Sequence, residues 1–175
     1  MSTTTLTTAG PYGTSAPDPA SGEQLRQIMR LFPTGVALLA TGEGEDAVAM
    51  TLNALMSVSL APPQVVVSVR RAARAHPVLE ETRAFRLYLL AGEQSGDAAL
   101  FASPDKPTGA VLTRYLDSAV APDALAVLDC RVETLYPGGD HTLLLARVAT
   151  ARTLNEERAP LTFHHGTMAA GGHRG

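Results

Sequence analysis

Two long β-prone segments, residues 125–136 and 141–152, flank the tetrapeptide Pro137-Gly-Gly-Asp140. Proline, glycine and aspartate are the residues that reverse a chain tightly, so the three pieces read as one long antiparallel hairpin. Shorter strand candidates precede it at residues 35–41, 47–53, 55–60, 64–69 and 85–90, and one follows at 160–164. Residues 64–69, Gln-Val-Val-Val-Ser-Val, are β-branched and mostly apolar, as a buried strand is. Counting 47–53 and 55–60 as one bent strand gives about seven strands, and they do not alternate with helices. That disfavours a doubly wound nucleotide-binding sheet. No GxGxxG follows a strand, and no GxxxxGK phosphate loop is present. The pattern predicts a mainly β protein with short helices, an antiparallel barrel with the helices outside.

Three helices are legible. Ser21-Gly-Glu-Gln24 has the spacing of a capping box, and Leu25, Ile28, Met29 and Phe32 then form an apolar stripe that Pro33 ends. Residues 75–82 read as a helix with Pro77 in its first turn, and residues 93–101 as a third. Residues 103–123 read as irregular. Residues 1–20 carry six Thr and three Pro and no Lys or Arg, which predicts a disordered arm and no export signal. The body is expected over 21–168, followed by a flexible tail at 169–175.

Composition narrows the function. A net charge of −3 on 175 residues argues against a general nucleic-acid binder. No apolar run reaches the ~20 residues of a membrane helix. The single cysteine, Cys130, permits no internal disulfide and no cysteine-based zinc site, and it points to the cytoplasm. Charged residues are only 18% of the chain, which favours surface hidden in a homodimer.

Four groups of residues are chemically suggestive. Thr51, Asn53, Ser57 and Ser59 fall at odd positions and share one face of a regular strand. They are either the solvent side of a half-buried strand or a row of donors and acceptors for a flat heteroaromatic ligand. Gly139-Asp-His141 aims a carboxylate and an imidazole outward from the hairpin turn, or simply uses the aspartate for the turn's own hydrogen bonds. Arg70-Arg-Ala-Ala-Arg-Ala-His76 brings basic side chains to a helix start, where an anion is well served, although a charged loop reads the same way. His164 and His165 are adjacent on a strand, where neighbours point to opposite faces, so no metal site is expected from them and His173. There is no Gly-x-Ser-x-Gly elbow, and Cys130 sits in an apolar strand, so hydrolase and thiol chemistries lack candidates.

In order and spacing, several segments resemble the flavin reductase-like family of FMN-binding split barrels. They are Phe32-Pro-Thr-Gly-Val36, Met50-Thr-Leu-Asn53, Ser57-Val-Ser-Leu-Ala-Pro-Pro63, Cys130-Arg-Val132, Gly139-Asp-His141 and the stretch 160–166. The resemblance runs from about residue 25 to 166. It implies a Greek-key split β-barrel, a homodimer, and hydride transfer from NADH or NADPH to FMN or FAD, with reduced flavin passing to a separate monooxygenase. It implies roles too: Thr34 on the pocket rim; Met50, Thr51, Leu52, Asn53, Ser57, Val58 and Ser59 along the flavin ring; Arg70, Arg74 and His76 at the ribityl phosphate; Asp140 and His141 toward the nicotinamide. His141 would position the dinucleotide, and no acid, base or nucleophile is expected. Two other readings stay open: a flat-ligand-binding member with a non-reductase biosynthetic role, and a non-catalytic dimeric partner subunit. The chain departs from the family pattern at Ala49, Ala72, Ala73, Leu87, Tyr88, Ala146 and Met168. This is expected to remove a serine, an asparagine and an aromatic from the ligand-facing set and to weaken FMN binding.

Overall fold

Every strand pair among the described residues is antiparallel. The computed structural model describes residues 19–172; the expected arm up to residue 18 and His173 lie outside them. The long hairpin is present as β7 (Ala126–Gly138) and β8 (His141–Thr153), joined through Gly139 at φ +68°. Around it a seven-stranded sheet runs in the order β3-β2-β6-β7-β8-β5-β4. The other members are β2 (Ala37–Thr41), β3 (Val48–Leu52), β4 (Leu55–Leu60), β5 (Pro63–Arg70) and β6 (Ala84–Leu89). Strands β3 and β4 are two residues apart in sequence yet form opposite edges of the sheet, which is where the barrel is split. A smaller sheet joins β1 (Thr34–Gly35), β9 (Leu161–His164) and β10 (Thr167–Ala170).

Central strands are buried on both faces, and their alternate side chains feed two cores. One fills the barrel with Leu39, Val67, Leu87, Cys130 and Leu144, closed by Ala75 and Leu79 of α2 (Ala75–Thr82). The other packs Leu38, Tyr88 and Val127 under Phe101 of α3 (Ser95–Ala102) and Leu112 of α4 (Gly109–Tyr115). Helix α1 (Gly22–Met29) has its capping box, yet buries none of its residues. Leu25, Ile28, Met29 and Phe32 are all at least half exposed.

The structure corrects two expectations and settles a third. Residues 103–123 are not irregular: Thr108 precedes α4, which continues into a π-turn at Leu116–Val120. Gly109, with φ +60°, masks the start of that helix in the sequence. The tail is ordered further than residue 168, because Ala169 and Ala170 belong to β10 and pair with Thr162 and Leu161. Of the two readings of 47–53 and 55–60, as separate strands or as one bent strand, the structure settles on separate strands.

Candidate active site

The polar row on β3 and β4 does not share a face. The Thr51 hydroxyl donates to the Ala98 carbonyl of α3 at 2.6 Å, so it pins that helix to the edge strand. Asn53 lies past the end of β3, and its amide donates to the Thr34 hydroxyl at 3.1 Å. This joins two residues 19 apart into one rim. Met50 and Leu52 turn the other way, into the barrel core. In β4, Ser57 is opposite Val65 and Ser59 opposite Gln64, with Val58 as the extra residue of a bulge. Val65 faces the barrel core, whereas Gln64 faces out and bonds Glu133. One inserted residue reverses the alternation, so the two serines sit on opposite faces. Strand β4 itself is barely covered: Met56 is 58% exposed, Val58 46% and Leu60 92%. An edge strand with open backbone groups and exposed apolar side chains is a surface built to be covered.

Beside this edge, β5 ends at Arg70 and the chain turns into α2. The Arg71 N–H donates to the Asp140 carbonyl at 3.0 Å, which ties the turn to the hairpin tip. Arg74 occupies the N-cap position of α2 and makes no side-chain cap. His76 faces inward. Its Nε2 is 2.8 Å from the Thr142 hydroxyl and its Nδ1 is 3.6 Å from Glu80, so both ring nitrogens are engaged within the chain. Lys106, from the stretch read as irregular, is a component the sequence reading missed. Its ammonium donates to the Phe101 carbonyl at 3.0 Å, and partial burial, helped by the nearby charge of Arg74, holds its pKa below the usual lysine range. Among the described residues none of Arg70, Arg71, Arg74 and Lys106 has an ion-pair partner. Asp140 feels the charge of Arg70 but makes no direct ion pair with it, and cations gathered in this way at a helix start fit a phosphate group.

The hairpin tip places His141 across from Arg70 in the β5–β8 register. Its Nδ1 is 2.7 Å from the Asp140 carboxylate, which this contact holds below the usual carboxylate range. An ionised carboxylate only accepts, so Nδ1 carries the proton and Nε2 has no hydrogen-bond partner among the described residues. Tyr88 and Ala49 prove to be core residues, 3% and 2% exposed, in the cluster under α3 and α4. They do not face the ligand edge, and Ala146 is likewise buried inside the barrel. The expected loss of an asparagine from the site through Tyr88 is therefore not a loss at the site. A larger groove, of about 960 Å³, lies elsewhere between α2, α4 and the outer sheet face. Glu43, Asp46, Glu81, Asp117 and Asp129 line it together with Arg86 and Arg131, and Arg86 is paired to Asp129 at 2.6 Å, so acidic groups outnumber cations there. Among the described residues no group of three His, Cys, Asp or Glu could hold a metal ion, and no helix is long and apolar enough to cross a membrane.

Comparison with known proteins agrees with this geometry. A family model, the flavin reductase like domain, matches residues 29–172. The chain is 37% identical over 150 residues to the NADH-dependent FMN reductase AsuE2 of Streptomyces nodosus subsp. asukaensis, covering 82% of this chain and 81% of that protein. It is 38% identical over 141 residues to the reductase component of 4-hydroxyphenylacetate 3-monooxygenase from Thermus thermophilus, covering 81% and 91%. The crystal structure of BorF, the flavin reductase component of a bacterial two-component tryptophan halogenase, superposes with a TM-score of 0.79 at 31% identity, over 88% of this chain and 100% of that one. With the split barrel, the open edge and the cationic loop all in place, the chain belongs to the flavin reductase-like domain family.

Proposed function

We propose that this protein is an NAD(P)H-dependent flavin reductase, a homodimer that passes reduced FMN or FAD to a separate flavin-dependent monooxygenase. The observation that carries the reading is the open edge of β4 together with the cations Arg70, Arg74 and Lys106, which make no direct ion pair among the described residues. The flavin, when bound, supplies the redox chemistry by accepting a hydride from the nicotinamide. The chain's own residues bind and orient. Arg74 and Lys106 hold the phosphate, with Arg70 adding charge. The free backbone of β4 and the Thr34–Asn53 rim meet the polar edge of the ring. His141, its tautomer set by Asp140, faces the nicotinamide side. Thr51 and His76 act from behind, holding α3 and β8 in place.

The apolar stripe of α1 and the exposed Met56, Val58 and Leu60 support the homodimer, because a lone chain leaves both uncovered. Cys130, buried and with its thiol pushed up to about 12 by burial, suits a reducing compartment, and we place the enzyme in the cytoplasm. The test is anaerobic addition of NADH to the protein with stoichiometric FMN. Bleaching of the flavin absorbance within seconds supports a reductase. Flavin that binds but is not bleached by NADH or NADPH indicates the non-reductase reading.

A further inference from the structure

We propose that Arg30, His164 and His165 form a second anion site, one that takes a phosphate group of the dinucleotide working at the flavin edge. The inference rests on the reductase reading above. It starts from the histidine doublet, whose rings a regular strand would send to opposite faces. They are instead 4.2 Å apart, centroid to centroid, at an interplanar angle of 67°. The cause is local: His165 leaves β9 with φ +51°, in the left-handed region, and its ring swings back beside His164.

Two contacts bring Arg30 to the same place. The His165 N–H donates to the Arg30 carbonyl at 3.0 Å, which docks the β9–β10 turn onto the end of α1. The guanidinium lies over Gly166, where a Cβ would come within 3.4 Å of Nη2. Gly166, at φ +82°, meets the turn's conformation. Arg30 caps the C-terminal end of α1 and is exposed.

The donor set defines the ligand. All three side chains are exposed, and among the described residues none makes a side-chain hydrogen bond or ion pair. A guanidinium is always charged, and an imidazole keeps at least one N–H donor in either protonation state. Two histidines beside an arginine are a poor metal site but a good phosphate site. The location supplies the rest. Phe163, the neighbour of His164, pairs with Thr34, and Thr34 accepts the Asn53 hydrogen bond at the rim of the flavin edge. Arg74 and Lys106 already provide for the flavin phosphate, so a pyrophosphate arriving here belongs either to the nicotinamide dinucleotide or to the ADP half of FAD.

ADP is the probe, because it carries the pyrophosphate without nicotinamide or flavin. The ring signals of His164 and His165 are followed by NMR during an ADP titration of the full chain, assigned with His164→Asn and His165→Asn. Both signals are expected to move together, and Arg30→Gln is expected to weaken ADP about tenfold while leaving riboflavin binding unchanged. His165→Gly, which relieves the positive φ, should keep the fold and still weaken ADP. Competition by ADP against NADH with FMN as acceptor assigns the site to the nicotinamide dinucleotide; competition against FAD alone assigns it to the flavin. Ring signals unmoved at saturating ADP, or full ADP affinity in Arg30→Gln, overturn the proposal. Failure of NADH to bleach FMN in the unmodified protein strikes the reductase reading instead, and leaves the ADP result standing as a separate observation.

Discussion

Replacing Arg74 or Lys106 by methionine separates phosphate recognition from ring recognition. Each side chain offers a charge-assisted hydrogen bond to a phosphate, worth roughly 1.5–3 kcal/mol. At about 1.4 kcal/mol per decade, losing one weakens FMN by about 10- to 150-fold. In the free protein the two cations sit close enough that Arg74 helps lower the pKa of Lys106. A bound phosphate relieves that repulsion, and a single variant forfeits this relief together with the contact, which places the expected value above the low end. For the same reason the double variant should lose less than the sum of the single losses. Lys106→Met also strips the Phe101 carbonyl of its donor, costing on the order of 1 kcal/mol of stability, so folding is checked by thermal melting. The assay is isothermal titration with FMN and, in parallel, with riboflavin, which has the ring and ribityl chain but no phosphate. FMN affinity should fall while riboflavin affinity stays within about twofold. Equal losses for both ligands, or unchanged FMN affinity in the double variant, would refute the assignment of this loop to the phosphate.

Three further outcomes follow from the geometry. His141→Ala should raise the KM for the nicotinamide dinucleotide about 5- to 30-fold, more than it weakens FMN, since one polar contact of roughly 1–2 kcal/mol is lost on that side only; steady-state NADH oxidation against FMN titration reads the split. Ile28→Glu puts a charge into the exposed stripe of α1 and should convert a dimer to monomers at micromolar concentration, seen by light scattering, without lowering the melting temperature of the chain itself. Asp129 accepts from Arg86 and from Thr150, both at 2.6 Å, and its carboxyl is held below the ordinary value, chiefly by Arg86. Its folded pKa is depressed, so its contribution is present above the unfolded value near 4 and is lost as pH falls through the lower folded value. Being part-exposed, the pair contributes at most about 1 kcal/mol. Asp129→Asn should flatten the acid end of the stability curve by that amount in urea titrations.

The architecture was legible wherever residue type and period agreed. The hairpin turn, the β-branched run of β5 and the capping box at Ser21 each combine a local chemical signal with a repeating pattern, and each appears at the expected place. Helix α4 did not show, because Pro107 and Gly109 bracket its start and because Gly109 needs the positive φ that normally marks a turn. The site was legible as a set of segments but not as faces. A single bulge residue, Val58, undoes the alternation on which the common face of Ser57 and Ser59 was read. Tyr88 was read as replacing a ligand-facing asparagine of the family pattern, but its register opposite Leu38 sends it under α3 and α4. Lys106 comes near Arg74, and Arg30 meets the turn at His165, through the packing of segments far apart in sequence, which no local pattern records.

Strands β3 and β4 each have one neighbour in the sheet, although they follow one another directly along the chain. Their free-edge amides are the ones the fold leaves to solvent, so they should exchange hydrogen fastest among the strands, opening locally without global unfolding. Whatever lies along them supplies the partner that an eighth strand would otherwise be. Occupancy of the edge then becomes a matter of local order as well as affinity: a bound ring slows exchange at residues 50–59 before any electron moves. Deuterium uptake of that one peptide, with and without FMN, would register the ligand's arrival in a protein that has not yet turned over.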